Sequence, residues 1–217
     1  MSMNENLPIV AHPKDVDLST LKEMELTRLK ETATGMSNAD YGVYVDKINA
    51  EIKARHGVAD RVCGECTACC TVMAVGALYK ASYRRCSHDS GCCAVYASRP
   101  KPCRAWCCSW LLGRIEGDER QRPDKLGLMF TLEPLTGKAI TVAYEVWPGA
   151  GKQSDNEYLL RTMSQQMPVV LRQYETKKCY LFVPDPVLRK EIGRLIQDDW
   201  YNTGYTQIVV SNFQPTK

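Results

Sequence analysis

At 217 residues, with 24% charged side chains and a net charge of only +3, the chain is neither a polybasic nucleic-acid binder nor an acidic disordered segment. That length suits one hydrophobic core better than two, so a single domain over residues 1–217 is expected. The positive charge is concentrated instead: from Arg61 to Arg104 seven basic side chains stand against two acidic ones.

In chain order, residues 14–58 read as helical. Leu18, Leu21, Leu26, Leu29 and Ala33 fall within an arc of ~140° at ~100° per residue, with Met24 on the flank and Asp17 as the N-cap. A second helix is expected from Asn38 or Asp40, with Tyr41, Tyr44, Val45, Ile48 and Ile52 on one side and an end near Gly57. Residues 59–112 form a cysteine module poor in regular structure. Beyond it, Leu126–Leu132 and Ala139–Val146 read as a hairpin around Pro134, Thr136 and Gly137, followed by a helix over Ser154–Gln166. Val169–Tyr174 and Cys179–Val183 form another hairpin around the polar turn 175–178. Asp185–Trp200 is a last amphipathic helix using Leu188, Ile192, Leu195 and Ile196. The expected class is α+β: an irregular cysteine-rich metal-binding module between N-terminal helices and C-terminal β-hairpins with an amphipathic helix.

Ten of the eleven cysteines lie between residues 63 and 108. Thiolates bind soft and borderline metals strongly, and a CxxC step brings two sulfurs to one ion across a tight turn, so the cluster reads as a metal site. The spacing excludes several familiar frameworks. A ferredoxin run would be C-x2-C-x2-C-x3-C-P, but Cys70 comes too early and Pro102 precedes Cys103 rather than following it. A zinc ribbon needs paired CxxC knuckles, and only Cys63–Cys66 opens that way. A thioredoxin-type CxxC follows a buried strand, which Arg61-Val62 does not supply. The N-terminus shows no basic n-region followed by an apolar stretch, and the longest apolar run, Val72 to Tyr79, is far short of the ~20 residues that span a bilayer. A cytoplasmic chain with reduced thiols is therefore expected, in which such a framework binds metal rather than forming disulfides. Cys179, alone in an expected strand, reads as a small buried hydrophobe.

Two blocks carry a family resemblance: Cys63-Gly-Glu-Cys66-Thr-Ala-Cys69-Cys70 with the later Cys86, and Cys93-Ala-Val-Tyr96-Ala-Ser-Arg99-Pro100-Lys-Pro-Cys103-Arg104-Ala-Trp106-Cys-Cys108. In order and content they resemble the CxxCxxCC zinc- or iron-chelating family, the YkgJ-like cysteine cluster proteins, over about a quarter of the chain. The resemblance implies a bound metal or iron–sulfur centre on Cys63, Cys66, Cys69, Cys70, Cys86, Cys93, Cys103 and Cys108. Cys92 and Cys107 are additional to that pattern. Were PCRAWCCSWLLG one helix from Pro102 to a stop at Gly113, Cys107 would share a face with Cys103 and Trp110, while Cys108 would lie ~140° away. Periodicity thus favours Cys107 and the family string favours Cys108, which is retained because metal loops break helices.

The remaining polar residues add little. Arg99 and Arg104 could donate to cluster sulfurs or pair elsewhere, Trp106, Trp110 and Tyr96 could shield a centre, and His88 reads as a loop histidine. Gly149-Ala-Gly151-Lys152 lacks the G-x4-G-K-[ST] pattern and reads as a loop. Two functions fit. One is a metal-binding protein whose iron–sulfur cluster, iron or zinc performs redox or metal-dependent modifying chemistry. The other is a structural zinc module of a protein-interaction scaffold without catalysis. The expected partners are a metal ion or cluster and a protein, with neither nucleic acid nor membrane indicated.

Overall fold

A computed structural model describes residues 17–201, apart from residues 34, 136–137 and 175–177. The expected turn residues Thr136 and Gly137, most of the 175–178 turn and the side chain of Met24 lie outside the described residues.

Asp17 caps a single 3-10 turn over Leu18–Thr20 rather than the first helix, its carboxylate accepting from Ser19 N at 3.0 Å. The backbone is extended at Leu21 and Lys22, and helix α1 (Glu23–Thr32) begins where Glu25 reaches back to accept from Lys22 N at 2.6 Å. The expected helix is therefore split at its start, because two successive local carboxylate caps each open their own turn. Helix α2 (Asn38–Arg55) follows the Ser37 N-cap, whose hydroxyl accepts from Asp40 N at 3.1 Å. Its expected apolar stripe is the buried one: Tyr41, Tyr44, Val45, Ile48 and Ile52 all face inward. Leu26 of α1, Tyr44, Ile48, Ile52 and Leu112 make a small helical core, with Cys107 packed against it.

The second core surrounds a four-stranded sheet in the order β1-β2-β3-β4, formed by β1 (Leu128–Leu135), β2 (Lys138–Glu145), β3 (Val169–Arg172) and β4 (Cys179–Phe182). Both expected hairpins are present as antiparallel pairs. Pro134 pairs with Ala139 on the edge strand β1 rather than standing in the turn, an edge being where a residue without N–H is tolerated. The hairpins join by a parallel β2–β3 pairing, Thr141 opposite Val169, and the return crossing is helix α3, Ser154–Ser164. Helix α4 (Pro186–Tyr201) buries Ile192 and Ile196 and packs on β1 and β4. Among the described residues no helix is long and apolar enough to cross a membrane.

The loop after β2 explains the glycine-rich stretch. Glu145, only 1% exposed, accepts from Gly151 N at 3.0 Å and from Tyr174 N at 2.9 Å. A Cβ on Gly151 would stand 3.1 Å from the Glu145 carboxylate and 2.5 Å from Leu171. The loop is thus closed around a protein carboxylate, which occupies the backbone donors that a phosphate loop would offer to its anion.

Ala68, Val72, Cys108, Trp110 and Ile115 belong to the sheet core, so the cysteine module is packed directly onto the sheet. The α+β class is the one observed.

Candidate metal centre

The module is held by tight turns and two five-residue helices, Ala68–Val72 and Lys101–Ala105. Cys66 N donates to Cys63 O at 3.0 Å, closing the CxxC turn, with Gly64 at φ +54° in the left-handed region that favours glycine. Cys69 and Cys70 sit on the first short helix. Cys86 N donates to Cys70 O at 2.9 Å, which pins a distant loop to the vicinal pair. A bridge between Asp89 and Cys93 and a bond from Tyr96 N to Cys93 O at 3.1 Å place Cys93.

The segment after Cys103 departs from expectation. The helix ends at Ala105 because Trp106 is extended, at φ −83° and ψ 127°, so Cys107 and Cys108 lie beyond it. Helical periodicity therefore does not apply to them. Cys107 turns to the helical core, whereas Cys108 is buried against the sheet, its sulfur accepting from Leu111 N at 3.5 Å.

Cysteines gather around two adjoining cavities. The larger, of about 560 Å³, is lined by Cys63, Cys66, Cys69, Cys70, Cys86, Cys93, Cys103 and Cys107, with His88 among them. The smaller, of about 270 Å³, shares Cys63, Cys66, Cys69, Cys103 and Cys107 and adds Cys108. Trp106 and Arg99 line both. Cys92 is exposed and lines neither, and Cys179 is buried in β4.

Electrostatic neighbourhoods divide these thiols. Cys93 feels Cys70 and Cys86, and Cys103 feels Cys70, Cys86 and Cys93. Cys108 feels Cys63, Cys107 and Cys66, while Cys69 feels Cys70, Cys63 and Cys66. One group is Cys70, Cys86, Cys93 and Cys103. The other is Cys63, Cys66, Cys69 and the Cys107–Cys108 pair, and the Cys69–Cys70 peptide bond joins the two.

Burial pushes the Cys66 thiol up to about 11 and the Cys108 thiol higher still. The mutual interaction of the neighbouring Cys69 and Cys70 thiols holds Cys70 down to about 7 and Cys69 well above the ordinary thiol range. Asp124 accepts from the Cys66 thiol and is itself clamped by Arg122 at 2.6 and 3.0 Å.

The basic residues have distinct roles. Lys80, 8% exposed, lines the larger cavity, and its ammonium donates to the carbonyls of Thr71, Met73 and Ala81. Burial lowers its pKa, and Cys86, Cys70, Cys69 and Cys103 oppose that shift, so it is a charge set beneath the thiols. Arg99 lies 3.7 Å over the Tyr96 ring, and Tyr96 hydrogen-bonds Cys63. Tyr96 is 49% exposed, so it is not the buried shield the sequence led us to expect. Arg104 instead clasps the carbonyls of Arg99 and Ala97, and Gly42 of α2 leaves room for its guanidinium. Lys80 is one of the seven basic side chains counted between Arg61 and Arg104, whereas Asp124 and Arg122 lie outside that stretch and escaped the sequence reading.

The donor set is thiol-rich, which fits a thiolate-bound metal in its chemistry. Among the described residues, no three Cys, His, Asp or Glu side chains converge as ligands of a single ion. The sulfurs stand around the cavities rather than about one point. No family model matches the sequence, and no curated protein or solved structure is similar to it.

Proposed function

We propose that the chain is a CxxCxxCC-type, YkgJ-like metal protein of the cytoplasm that holds two iron–sulfur centres. One would use Cys70, Cys86, Cys93 and Cys103, the other Cys63, Cys66, Cys69 and Cys108. The observation that supports this reading is the gathering of nine cysteines around two adjoining cavities, where Cys93 and Cys103 are influenced by Cys70 and Cys86, and Cys108 by Cys63 and Cys66. A lone zinc ion needs four donors at about 2.3 Å from one centre, whereas a four-iron cluster holds its cysteines farther apart around a larger body. Cys107, which lines both cavities, is left out of the ligand set because it is additional to the pattern of the resemblance.

Bound there, such centres would supply one-electron chemistry. The chain's own contribution would be to offset their charge with Lys80 and Arg99, to orient Cys63 through Tyr96 and Cys66 through Asp124, and to exclude water with Trp106. A structural zinc module is the second reading. It is favoured by the shortness of the two helices in the module, too short to hold that segment without a staple.

Anaerobic reduction separates the two. Dithionite is expected to bleach a broad absorption at about 400 nm and to produce the paramagnetic signal of a reduced cluster. A colourless, signal-free protein carrying zinc would overturn the iron–sulfur reading in favour of the structural one.

A further inference from the structure

The larger cavity has a wall without cysteine. In the β1–β2 register Thr131 stands opposite Val142, so Thr131, Glu133 and Tyr144 share one face of the sheet. All three line the cavity that Cys70, Cys86 and Cys93 also line. The Thr131 hydroxyl donates to Glu133 Oε1 at 2.8 Å and the Tyr144 hydroxyl donates to the same oxygen at 2.6 Å. Arg172 Nη1 in turn donates to the Tyr144 hydroxyl at 3.1 Å.

This row is expensive to bury. Thr131, Tyr144 and Arg172 are 4%, 7% and 8% exposed, on a sheet whose neighbouring positions Met129, Ile140 and Val142 are apolar and buried. Packing alone would be served better by apolar side chains there. The row also has a direction. Both hydroxyl donors end on Glu133 Oε1, and no hydrogen bond among the described residues reaches Oε2. Among the described residues, the basic side chains lining the cavity donate elsewhere: Lys80 to three backbone carbonyls, Lys30 to Asn49, Arg99 to Tyr96 O and Arg114 to Glu23 and Thr27, while Arg172, outside the lining, donates to the Tyr144 hydroxyl. The same cavity also has apolar side chains on its lining, Val75 and Leu78 among them.

We propose that this end of the cavity is a binding subsite for a primary alkylamine. The ammonium pairs with Glu133 Oε2, and its methylene stem lies along Val75 and Leu78. A carboxylate with one oxygen fixed by two hydroxyls presents the other as a preorganised acceptor, which selects a cation with N–H donors over a neutral or anionic ligand of equal size. The proposal rests on the preceding reading in one respect only, that the amine is held beside a thiolate-bound metal.

Calorimetric titration of the full chain as purified, with n-butylammonium, n-butanol and butyrate as probes, tests it. Saturable binding of butylammonium alone is expected, weakened at least about tenfold by Glu133→Gln, or about 1.4 kcal/mol. Leu78→Trp, which fills the apolar end and leaves the sheet untouched, is expected to weaken it as well and serves if the glutamine variant fails to fold. Equal binding of butyrate, or butylammonium binding indifferent to both substitutions, would overturn the proposal. Metal content on the same samples keeps the two claims apart. Full metal without amine binding overturns the subsite alone, and amine binding without metal overturns the metal reading alone.

Discussion

Cys86→Ser is expected to lose about half of the bound metal and Cys66→Ser the complementary half, because each cysteine serves a different four-thiolate centre. The serine hydroxyl is a hard, weakly acidic oxygen that does not replace a thiolate on iron. Cys86 is tied to the first group by its backbone bond to Cys70, and Cys66 to the second by its place beside Cys63, Cys69 and Cys108. The double variant should hold almost none. Cys92→Ser should keep the full complement, since that side chain is exposed and lines neither cavity, and so should Cys179→Ser, buried within β4. Elemental analysis of each variant reads the result. Complete loss from Cys86→Ser alone would mean one coupled cluster rather than two, and unchanged metal in Cys66→Ser would sink the ligand assignment.

Arg61→Ala is expected to cost about 3 kcal/mol of stability. The guanidinium joins the two ends of the module. It donates to Trp110 O at 2.7 Å, Ile115 O at 2.9 Å and Gly117 O at 2.6 Å, and lies 5.0 Å from the Trp110 ring centroid. Each charge-assisted bond contributes ~1.5–3 kcal/mol, and truncation removes the donor to Ile115 O, in a residue 5% exposed, while Trp110 O keeps its bond from Gly113 N at 3.1 Å. Arg61→Lys should recover only a fraction, because a point ammonium does not reproduce the planar fork that serves these carbonyls together. Urea unfolding at equal metal loading measures both. A loss under about 1 kcal/mol for the alanine variant would show that the clasp is dispensable.

Much of the architecture was legible in the residues themselves. The stripe Tyr41, Tyr44, Val45, Ile48 and Ile52 has a period that only a helix satisfies, and it is the buried face of α2. The strands likewise follow from short apolar runs between turn residues. The parallel β2–β3 pairing was not legible, because a crossover pairing depends on how α3 returns over the sheet and not on a local signal. The break at Trp106 was hidden for a related reason. Lys-Pro-Cys-Arg-Ala-Trp has no helix breaker after Pro102, and the extended backbone at Trp106 is imposed by packing of Trp106 and Cys108 onto the sheet core.

The site divides in the same way. Cysteine crowding is visible in any linear reading, and the cysteine blocks give the candidate ligands by position. The supports do not repeat with the motif: Lys80 beneath the thiols, Asp124 on Cys66, and Arg61 spanning the module. Lys80 and Arg61 were visible only as members of a basic stretch; which carbonyls they serve, and the pairing of Asp124 with Cys66, leave no pattern of spacing or type. Glu133 is hidden still more completely, being one carboxylate in an edge strand whose meaning comes only from Thr131, Tyr144 and Arg172 around it.

The most direct test of the central claim is the iron, zinc and acid-labile sulfide content of the full chain purified without oxygen. Two four-iron centres predict about eight iron and about eight sulfide per chain with negligible zinc. About two zinc ions per chain and no sulfide would contradict them, and would make the cysteine module a pair of closed structural sites.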